Sequence, residues 1–540
     1  MVQEKGMGGL RRRNNLANLT NCFTEATFFK DLLGEKATLF AYLCEDYVMN
    51  QKKRTKLSKT DLLLEQVRSG GREMTWREQI ELTARLSLPA ILAQMAHIFM
   101  EYIDASMVGR LGAVDSASIG LVATTTWLFW GVTSAVATGF SVQVAHRIGA
   151  CDSAGARNVL RQALVVCITM GLIISLIGVS ISRPLPHWLG GDATIAVGAT
   201  KYFFIFAITI PLFILTFLMS SMLRCSGNIK IPSILNVLMC FLDVLFNFLL
   251  IFPTREVNLL GLNVTIWGGG LGIVGAALGT TFAELVTACL LFYFLCFRSL
   301  HLRILGKRKF EESKWSMFKP TERVLRKAFK IGLPIGCERV IMTGAQICTT
   351  MIVAPLGMFA IAANSFGVNA ESLCYMPGYG ISDAATTLVG QSIGAKRSNM
   401  AKRFAHICVT MGIGVMALMG VVMYVAAPLM MRIMTPVPEI VELGVEALRI
   451  EAFAEPMFAA SIVCYGVFVG AGNTLIPSSM NLLSIWVFRI SLAVWLAPKM
   501  GLNSVWLAMC IELCLRGIMF LIRLKSGKWI PKELRMKSEK

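Results

Sequence analysis

The sequence predicts an all-α integral membrane protein with twelve transmembrane helices, arranged as two six-helix lobes related by a pseudo-two-fold axis along the membrane normal. Three observations predict this fold: the apolar composition, the number of long apolar runs and an internal repeat. Of the 540 residues, 55% are hydrophobic and only 16% are charged, whereas soluble chains carry about 25% charged residues. This composition excludes a disordered protein and disfavours a soluble multidomain enzyme.

Long apolar runs supply the predicted helices. A bilayer core about 30 Å thick needs about 20 apolar residues in a helix. Backbone in lipid must satisfy its own hydrogen bonds, so such runs are helical, and they lack the strict alternation of a barrel strand. Twelve runs meet this requirement: 85–109, 117–145, 160–182, 201–223, 231–252, 271–297, 331–355, 361–389, 404–427, 447–469, 478–498 and 503–523.

The basic residues predict the orientation. The formal net charge is +19, and Lys and Arg cluster between apolar runs, in 298–330, 396–403 and 525–537. That placement is typical of cytoplasmic loops and not of a nucleic-acid surface, so we expect a multi-pass cell-membrane protein with both termini cytoplasmic. We also expect a monomer whose partners are the bilayer and small organic substrates.

Five segments follow from these assignments. Met49 and Met74 each precede a polar, basic run, so one hypothesis is that residues 1–48 reflect an upstream start codon. The predicted segments are a cytoplasmic, partly disordered extension (1–84), an N-lobe (85–300), a basic linker (301–330), a C-lobe (331–523) and a cytoplasmic tail (524–540).

An internal repeat runs through the chain at one constant offset of 245 residues. Each copy contains six spans, an even number, so both copies enter the membrane from the same face, as parallel repeats do. Two such lobes around a central cleft predict transport by alternating access. Matching pairs include Leu88-Pro89 with Leu333-Pro334, Ile148-Gly149-Ala150 with Ile393-Gly394-Ala395, Pro211 with Pro456, and Ile231-Pro232-Ser233 with Ile476-Pro477-Ser478.

Acidic residues inside the spans are the candidate functional residues, because they are costly in lipid and usually face the bundle interior. In the N-lobe, Asp104, Asp243 and Thr280 fall at similar depths, and their oxygens suit a proton or Na⁺. A capping role for Asp104 is the simpler alternative. No cofactor or resident metal is expected, because the 15 cysteines are scattered without metal-ligand spacing.

The C-lobe carries acids and arginines in its spans. Glu338, Glu371 and Glu455 are the candidate acids of a substrate cleft. Glu512 and Arg516 lie four residues apart and are expected to form a structural pair, while Arg489 is a candidate partner for an acid across the lobe. Prolines at positions 211, 377 and 456 predict kinks or packing around a fixed bend.

These motifs together resemble the multidrug and toxic compound extrusion (MATE) family, over about residues 80–525. The motifs that carry the resemblance are Leu88-Pro89, Asp104 followed by Val108-Gly109-Arg110-Leu111-Gly112, Gly275-Ala276-Ala277-Leu278-Gly279-Thr280, Leu333-Pro334-Ile335-Gly336, Leu388-Val389-Gly390-Gln391 with Gly394-Ala395, and Gly470-Ala471-Gly472-Asn473-Thr474. The resemblance implies efflux of organic, often cationic, compounds against H⁺ or Na⁺.

The resemblance also assigns residues. Asp104 matches the family's first-helix acid, and Asp243 and Thr280 match the fifth-helix acid and sixth-helix threonine of the DinF-like branch. That branch has an asparagine four residues before its fifth-helix acid, where this chain has Met239. Glu338 lies one turn before the position of the NorM-like glutamate, which here is Met342, and Glu455 lies near that branch's tenth-helix acid.

The function predicted is a secondary active antiporter, with H⁺ favoured over Na⁺. A site without a neighbouring asparagine has few neutral oxygens, and Na⁺ needs several oxygen ligands while a proton needs one carboxylate. One alternative is a flippase for a lipid-linked precursor, whose cleft would be strongly cationic. Another is an intramembrane enzyme, which would need clustered aspartates. An ATP-driven pump is excluded within this chain, because no GxxxxGK[ST] loop occurs.

Overall fold

The computed structural model describes residues 58–69, 73–259, 262–304 and 319–535. The hypothesis about residues 1–48 lies outside these residues. Helices dominate the described chain. The first part contains α1 (Lys59–Ser69), α2 (Trp76–Gly109), α3 (Ala113–Gly149), α4 (Ser153–Ile181), the short α5 (Leu185–Trp188), α6 (Ala193–Cys225), α7 (Lys230–Ile251) and α8 (Gly272–Tyr293).

The second part repeats this order. It contains α9 (Glu322–Val353), α10 (Met358–Gly394), α11 (Ser398–Met434), α12 (Pro438–Ala452), α13 (Glu455–Gly470), α14 (Leu475–Leu483), α15 (Ser491–Met500), α16 (Leu502–Ser526) and the short α17 (Lys532–Arg535). Helix α2 to α8 form the N-lobe and α9 to α16 the C-lobe. Apart from one β-hairpin, the described fold is therefore all-helical with two lobes, as predicted.

Ten of the twelve predicted spans each lie in one of these helices, apart from residues at their ends. The tenth is divided between α12 and α13, and the eleventh runs through α14, a π-helical segment (Ser484–Ile490) and α15. Ten helices of the described chain are long and apolar enough to cross a membrane, and an eleventh span is possible if the bent pair α12 and α13 counts as one. Helix α10 does not pass this test, although it has 37 residues. Its middle contains Asn364, Asn369, Glu371 and Asp383, which lower its hydropathy. The count of twelve remains a prediction.

The backbone repeats at the offset seen in the sequence. Cys151 (φ 58°) and Lys396 (φ 59°) have positive φ although they are not glycines, and they follow the equivalent helices α3 and α10. Gly112 and Gly357 are a second such pair. Left-handed backbone is costly for residues with a Cβ, so its recurrence at equivalent turns shows that the two lobes share one local design.

Helix α2 begins at Trp76, nine residues before the predicted span. Thr75 and Glu78 form a capping box, in which each side chain accepts a hydrogen bond from the backbone of the other. This arrangement satisfies backbone N–H groups that a helix start leaves without a partner. The helix therefore starts in the segment predicted to belong to the N-terminal extension.

The tenth predicted span is broken. Helices α12 and α13 meet at an angle of 60°, and Pro456 lies in the first turn of α13. Proline lacks a backbone donor and obstructs the preceding turn, which weakens the helix at this point. Pro211 and Pro377 lie inside α6 and α10, which each continue through the proline as one helix.

The connection between α7 and α8 is a β-hairpin. Strand β1 (Pro253–Leu259) pairs antiparallel with β2 (Leu262–Gly269). The paired strands make up most of this connection. The hairpin leads into α8. Gly275 of α8 allows the backbone of α7 to approach closely, because a Cβ at that position would lie 2.5 Å from the carbonyl oxygen of Leu250.

Candidate functional site

The N-lobe brings two predicted carboxylates together. Asn247 lies one turn after Asp243 on α7, and its Nδ2 donates to Asp104 Oδ1 of α2 at 3.0 Å and to Asp243 Oδ2 at 3.1 Å. Asp243 is fully buried and Asn247 nearly so, while Asp104 is half-buried. The three side chains form one polar cluster inside the lobe, which we call the N-lobe acid site.

Two oxygens of this site have no hydrogen-bond partner in the described structure. They are Asp243 Oδ1 and Asn247 Oδ1. Unpartnered buried acceptors are costly, and two carboxylates bridged by one amide still carry negative charge. A proton or a small cation would bind the unpartnered oxygens and also neutralise the negative charge.

Thr280 of α8 lies beside Asp243 of α7. Its hydroxyl donates to the carbonyl oxygen of Ala276 at 3.3 Å. Its lone pairs therefore remain available as neutral oxygen ligands. The close approach of α7 and α8 depends on Gly279, because a Cβ there would lie 2.1 Å from Asn247 Oδ1. The glycines of the Gly275–Gly279 motif thus serve close helix packing.

One prediction about this site was wrong. The missing asparagine at Met239 suggested that the site has few neutral oxygens, yet Asn247 supplies an amide from the other side of Asp243. A residue four positions after the acid lies on the same helix face as one four positions before it. Searching both directions from Asp243 in the sequence would have found it.

Glu338 is satisfied by its own lobe. Its Oε2 accepts from the hydroxyl of Tyr465 at 2.6 Å, and its Oε1 accepts from Nδ2 of Asn481 at 2.7 Å. The carboxylate is 5% exposed. The two donors come from α13 and α14, so Glu338 links three helices of the C-lobe. Its predicted place in a substrate cleft stays a prediction.

Glu371 and Glu455 belong to a second group of buried acids, which also contains Glu451. We call these three residues the C-lobe acid group. Glu371 of α10 is 5% exposed, and Glu451 and Glu455 are each 1% exposed. All four carboxylate oxygens of Glu451 and Glu455 lack a partner in the described structure. The two glutamates flank the break between α12 and α13, where the chain turns by 60°.

Aromatic rings and a charge cluster border this group. The ring of Tyr375 lies 6.0 Å from that of Tyr379 and 5.5 Å from that of Phe458. Arg516 lies above the Phe458 ring, at 5.5 Å. Flat apolar rings beside buried acids provide surfaces for an organic cation.

The predicted arginine pairs are largely confirmed. Arg516 Nε lies 3.2 Å from Glu512 Oε1, as the spacing of four predicted. Arg489, expected to reach an acid across the lobe, donates to Glu512 Oε2 from Nε and Nη2 at 3.1 and 2.8 Å. Arg489 lies in a π-helical turn, Ser484–Ile490, which turns its side chain toward α16. Glu512 is therefore held by two arginines and the hydroxyl of Ser484.

The lobes are in close contact on the face that bears α1. Arg224 Nη1 of the N-lobe lies 3.8 Å from Asp383 Oδ2 of the C-lobe, and His146 Nε2 is 2.8 Å from the carbonyl oxygen of Gly470. Backbones also approach there, since a Cβ on Gly394 would lie 2.1 Å from the carbonyl oxygen of His146. The seam between the lobes is closed on this face.

Comparison with known proteins identifies a matching family. The sequence model of the MatE family matches residues 89–249 and 334–495. The two matched segments coincide with the two copies of the repeat and together cover more than half of the chain.

Similar proteins include a probable multidrug resistance protein NorM from Thermotoga maritima, 24% identical over 447 residues that cover 82% of this chain and 92% of that protein. The uncharacterized transporter YisQ of Bacillus subtilis is 23% identical and covers 83% of this chain and 94% of its own. A solved outward-facing conformation of a multidrug resistance MATE transporter has a TM-score of 0.76 at 20% identity, covering 88% of this chain and 99% of that one.

Proposed function

The chain belongs to the MatE family, whose members are multidrug efflux transporters and not enzymes, and from this premise we propose that it is a secondary active antiporter. It exports organic, often cationic, compounds in exchange for H⁺ or Na⁺ by alternating access. The N-lobe acid site holds the coupling ion, and the C-lobe acid group and its rings face the substrate. The membrane is the cell membrane, with both termini on the cytoplasmic side.

A single observation carries the coupling part of the proposal. Asn247 bridges Asp104 and Asp243 from two helices, so binding a cation there changes the net charge between α2 and α7. An ion can drive a transporter only if it binds one facing state better than the other. A buried carboxylate pair supplies that difference, because only a neutralised pair is stable when the lobe closes around it.

H⁺ is the first candidate for the coupling ion. Two carboxylates joined by one amide donor can share a single proton, and this site needs no further ligand for that. Na⁺ is the second candidate, because Asp243 Oδ1 and Asn247 Oδ1 are both unpartnered oxygens and Thr280 can add a third. Because Asn247 supplies a neutral oxygen ligand, the preference for H⁺ over Na⁺ is weaker than the one that the sequence suggested.

Two alternatives are weaker. A flippase for lipid-linked pyrophosphates would require several unpaired cations in its cleft, yet the two C-lobe arginines that the sequence analysis named, Arg489 and Arg516, both pair with Glu512. An intramembrane enzyme does not agree with membership in a family of transporters. Efflux therefore remains the function that the geometry supports best.

The proposal is tested in liposomes with purified full-length protein. A pH step without Na⁺, and separately a Na⁺ step at constant pH, should be applied while the efflux of cationic dyes is measured. H⁺ coupling predicts exchange in the first case only, and Na⁺ coupling in the second only. Absence of exchange under either gradient would contradict the antiport proposal.

Asp243→Asn is the accompanying variant, and we expect it to abolish exchange driven by either gradient. An amide cannot release a proton and adds no charge for a metal cation. Asp192→Asn is the matched control, because Asp192 is exposed and makes no side-chain cap hydrogen bond, and it should exchange like the wild type. Normal exchange by well-folded Asp243→Asn would remove Asp243 from the coupling role.

A further inference from the structure

Helix α1 lies outside the segments that the family model matches, yet its second half packs onto both lobes. Leu64 is 1% exposed and Val67 is fully buried. They share a hydrophobic cluster with Ile229 of the N-lobe and with Leu388 and Met400 of the C-lobe. Residues Leu63–Ser69, which we call the α1 strap, therefore sit over the seam between the lobes.

Arg68 joins the two lobes through its guanidinium group. Its Nη2 donates to the carbonyl oxygen of Ser226 in the N-lobe at 3.0 Å, and its Nη1 is 2.6 Å from Nε2 of His301, in the segment that follows the N-lobe. Its Nε donates to Gln391 Oε1 of the C-lobe at 3.1 Å. The fixed fork of an arginine can hold several acceptors at once, so one side chain bridges the seam.

Other contacts reinforce this bridge. Gln391 also donates from Nε2 to the carbonyl oxygen of Cys225 at 2.9 Å, which crosses the seam directly. Arg397 of the C-lobe donates from Nη1 to the carbonyl oxygen of Gln66 at 2.8 Å. A cation at the end of α1 satisfies a terminal carbonyl and suits the helix dipole. The strap is thus held from both sides.

Alternating access requires this seam to open during each cycle, because the substrate must reach the cleft from either face. The strap cannot keep its contacts with Ser226, His301 and Gln391 if the lobes separate at this face. Some of its bonds must break before the seam opens, which adds to the free energy of that step.

We propose that the α1 strap is an autoinhibitory latch that stabilises the state closed on this face and slows opening of the seam. The proposal rests on the alternating-access function proposed above. It makes the segment before α2 a regulator of the transport rate, and it predicts that loosening Arg68 speeds transport without altering the ion and substrate sites.

The test compares full-length Arg68→Ala with Arg77→Ala in liposomes. Arg77 is an exposed residue at the start of α2, so both variants remove one positive charge from the same face. Removing a hydrogen bond made by a charged group costs about 1.5 kcal/mol or more, which corresponds to about tenfold in an equilibrium. We therefore expect Arg68→Ala to raise the exchange rate about threefold to tenfold, with Arg77→Ala unchanged.

Hydrogen exchange of the seam supplies a readout that does not depend on transport. Backbone amides of residues 141–149 and 388–394 should exchange faster in Arg68→Ala and not in Arg77→Ala. Arg397→Ala removes a different contact of the strap and should act in the same direction. It supplies the test if Arg68→Ala fails to fold.

Two outcomes would overturn the latch. One is unchanged amide hydrogen exchange of the seam in both Arg68→Ala and Arg397→Ala. The other is slower transport in a variant whose seam amides exchange hydrogen faster. If the wild type transports no tested compound, the antiport proposal fails while the hydrogen-exchange comparison still decides whether the strap holds the seam closed.

Discussion

At the level of single residues, the identities of the acids were readable from the sequence but their partners were not. Asp104 and Asp243 were predicted to lie at similar depth, and one amide bridges them. Asn247 was not predicted, because the family pattern places an asparagine four residues before the acid, at position 239, and not four residues after it. Glu451 was not predicted, because it lies four residues before the more obvious Glu455 and on the other side of the break between α12 and α13.

Asn247→Leu is expected to reduce gradient-driven exchange at least tenfold. Leucine has the same branching and the same number of side-chain heavy atoms but removes the donor to both carboxylates, and a lost hydrogen bond to a buried charged group costs about 1.5 to 3 kcal/mol. Initial exchange rates in liposomes would measure this. Asn236→Leu is the control, because Asn236 donates to a backbone oxygen in the same lobe, that of Ala93. An equal loss in both variants would indicate a general folding effect.

Glu455→Gln is expected to weaken transport of cationic compounds more than that of neutral ones. Its carboxylate has two unpartnered oxygens beside Tyr375 and Phe458, and a cationic substrate is the partner that would satisfy them. The ratio of transport rates for a cationic dye and an uncharged analogue measures this preference. Glu439→Gln, at the exposed start of α12, should leave the ratio unchanged. Equal losses for the two dyes would point to a structural role.

At the level of helices, apolar runs predicted which segments are helical but not where the helices end. The bilayer thickness sets the length of the apolar run, whereas caps outside the lipid set the end of the helix, as Thr75 and Glu78 do for α2. Proline alone did not predict the break in the tenth span. Pro211 and Pro456 are equivalent in the repeat, yet α6 continues through Pro211 while α12 and α13 separate next to Pro456. The packing around each proline therefore determines whether the helix breaks there.

Gly279→Ala tests whether close packing of α7 and α8 positions the N-lobe acid site. The added Cβ would lie 2.1 Å from Asn247 Oδ1 and 2.9 Å from its backbone nitrogen, so the helices must separate or the amide must turn away. We expect a loss of ion-driven exchange comparable to that of Asn247→Leu. Gly414→Ala is the control, since a Cβ there meets nothing within 4 Å. Full exchange by Gly279→Ala would show that the amide position is not critical.

At the level of the whole molecule, the repeat and the two lobes followed from one constant offset, which positive-φ residues 151 and 396 reproduce in the backbone. The α1 strap did not follow. It is too short and too polar to register as a span, and its contacts with residues 226, 301 and 391 lie more than 150 residues away in the chain. Such contacts depend on the assembled lobes, which no local pattern encodes.

The strap also makes the seam sensitive to pH through His301. Burial, together with the positive charges of Arg68 and Arg157, lowers the pKa of His301 from 6.5 to about 4. The ring also lies 3.2 Å from Ser153 Oγ through Nδ1. Neutral imidazole can accept the N–H of Arg68, whereas the protonated ring would repel both arginines. Docking of the strap therefore favours the neutral form.

The sign of the effect follows from this lowered pKa. Well above pH 6.5 the ring is neutral whether or not the strap is docked, so docking is unaffected by pH there. As the pH falls from 6.5 toward 4, the released His301 takes up a proton that the docked one refuses, and release becomes progressively easier. Acidification on this side of the membrane should consequently loosen the latch.

The expected measurement is the ratio of seam hydrogen exchange in the wild type to that in His301→Gln, at a series of pH values. Glutamine can accept a hydrogen bond but does not titrate, so the ratio removes the intrinsic pH dependence of amide exchange. We expect a ratio that is constant well above pH 6.5, begins to rise near pH 6.5 and continues to rise toward pH 4. A flat ratio across that range would show that protonation of His301 does not control the strap, and the latch would then respond to Arg68 without sensing pH.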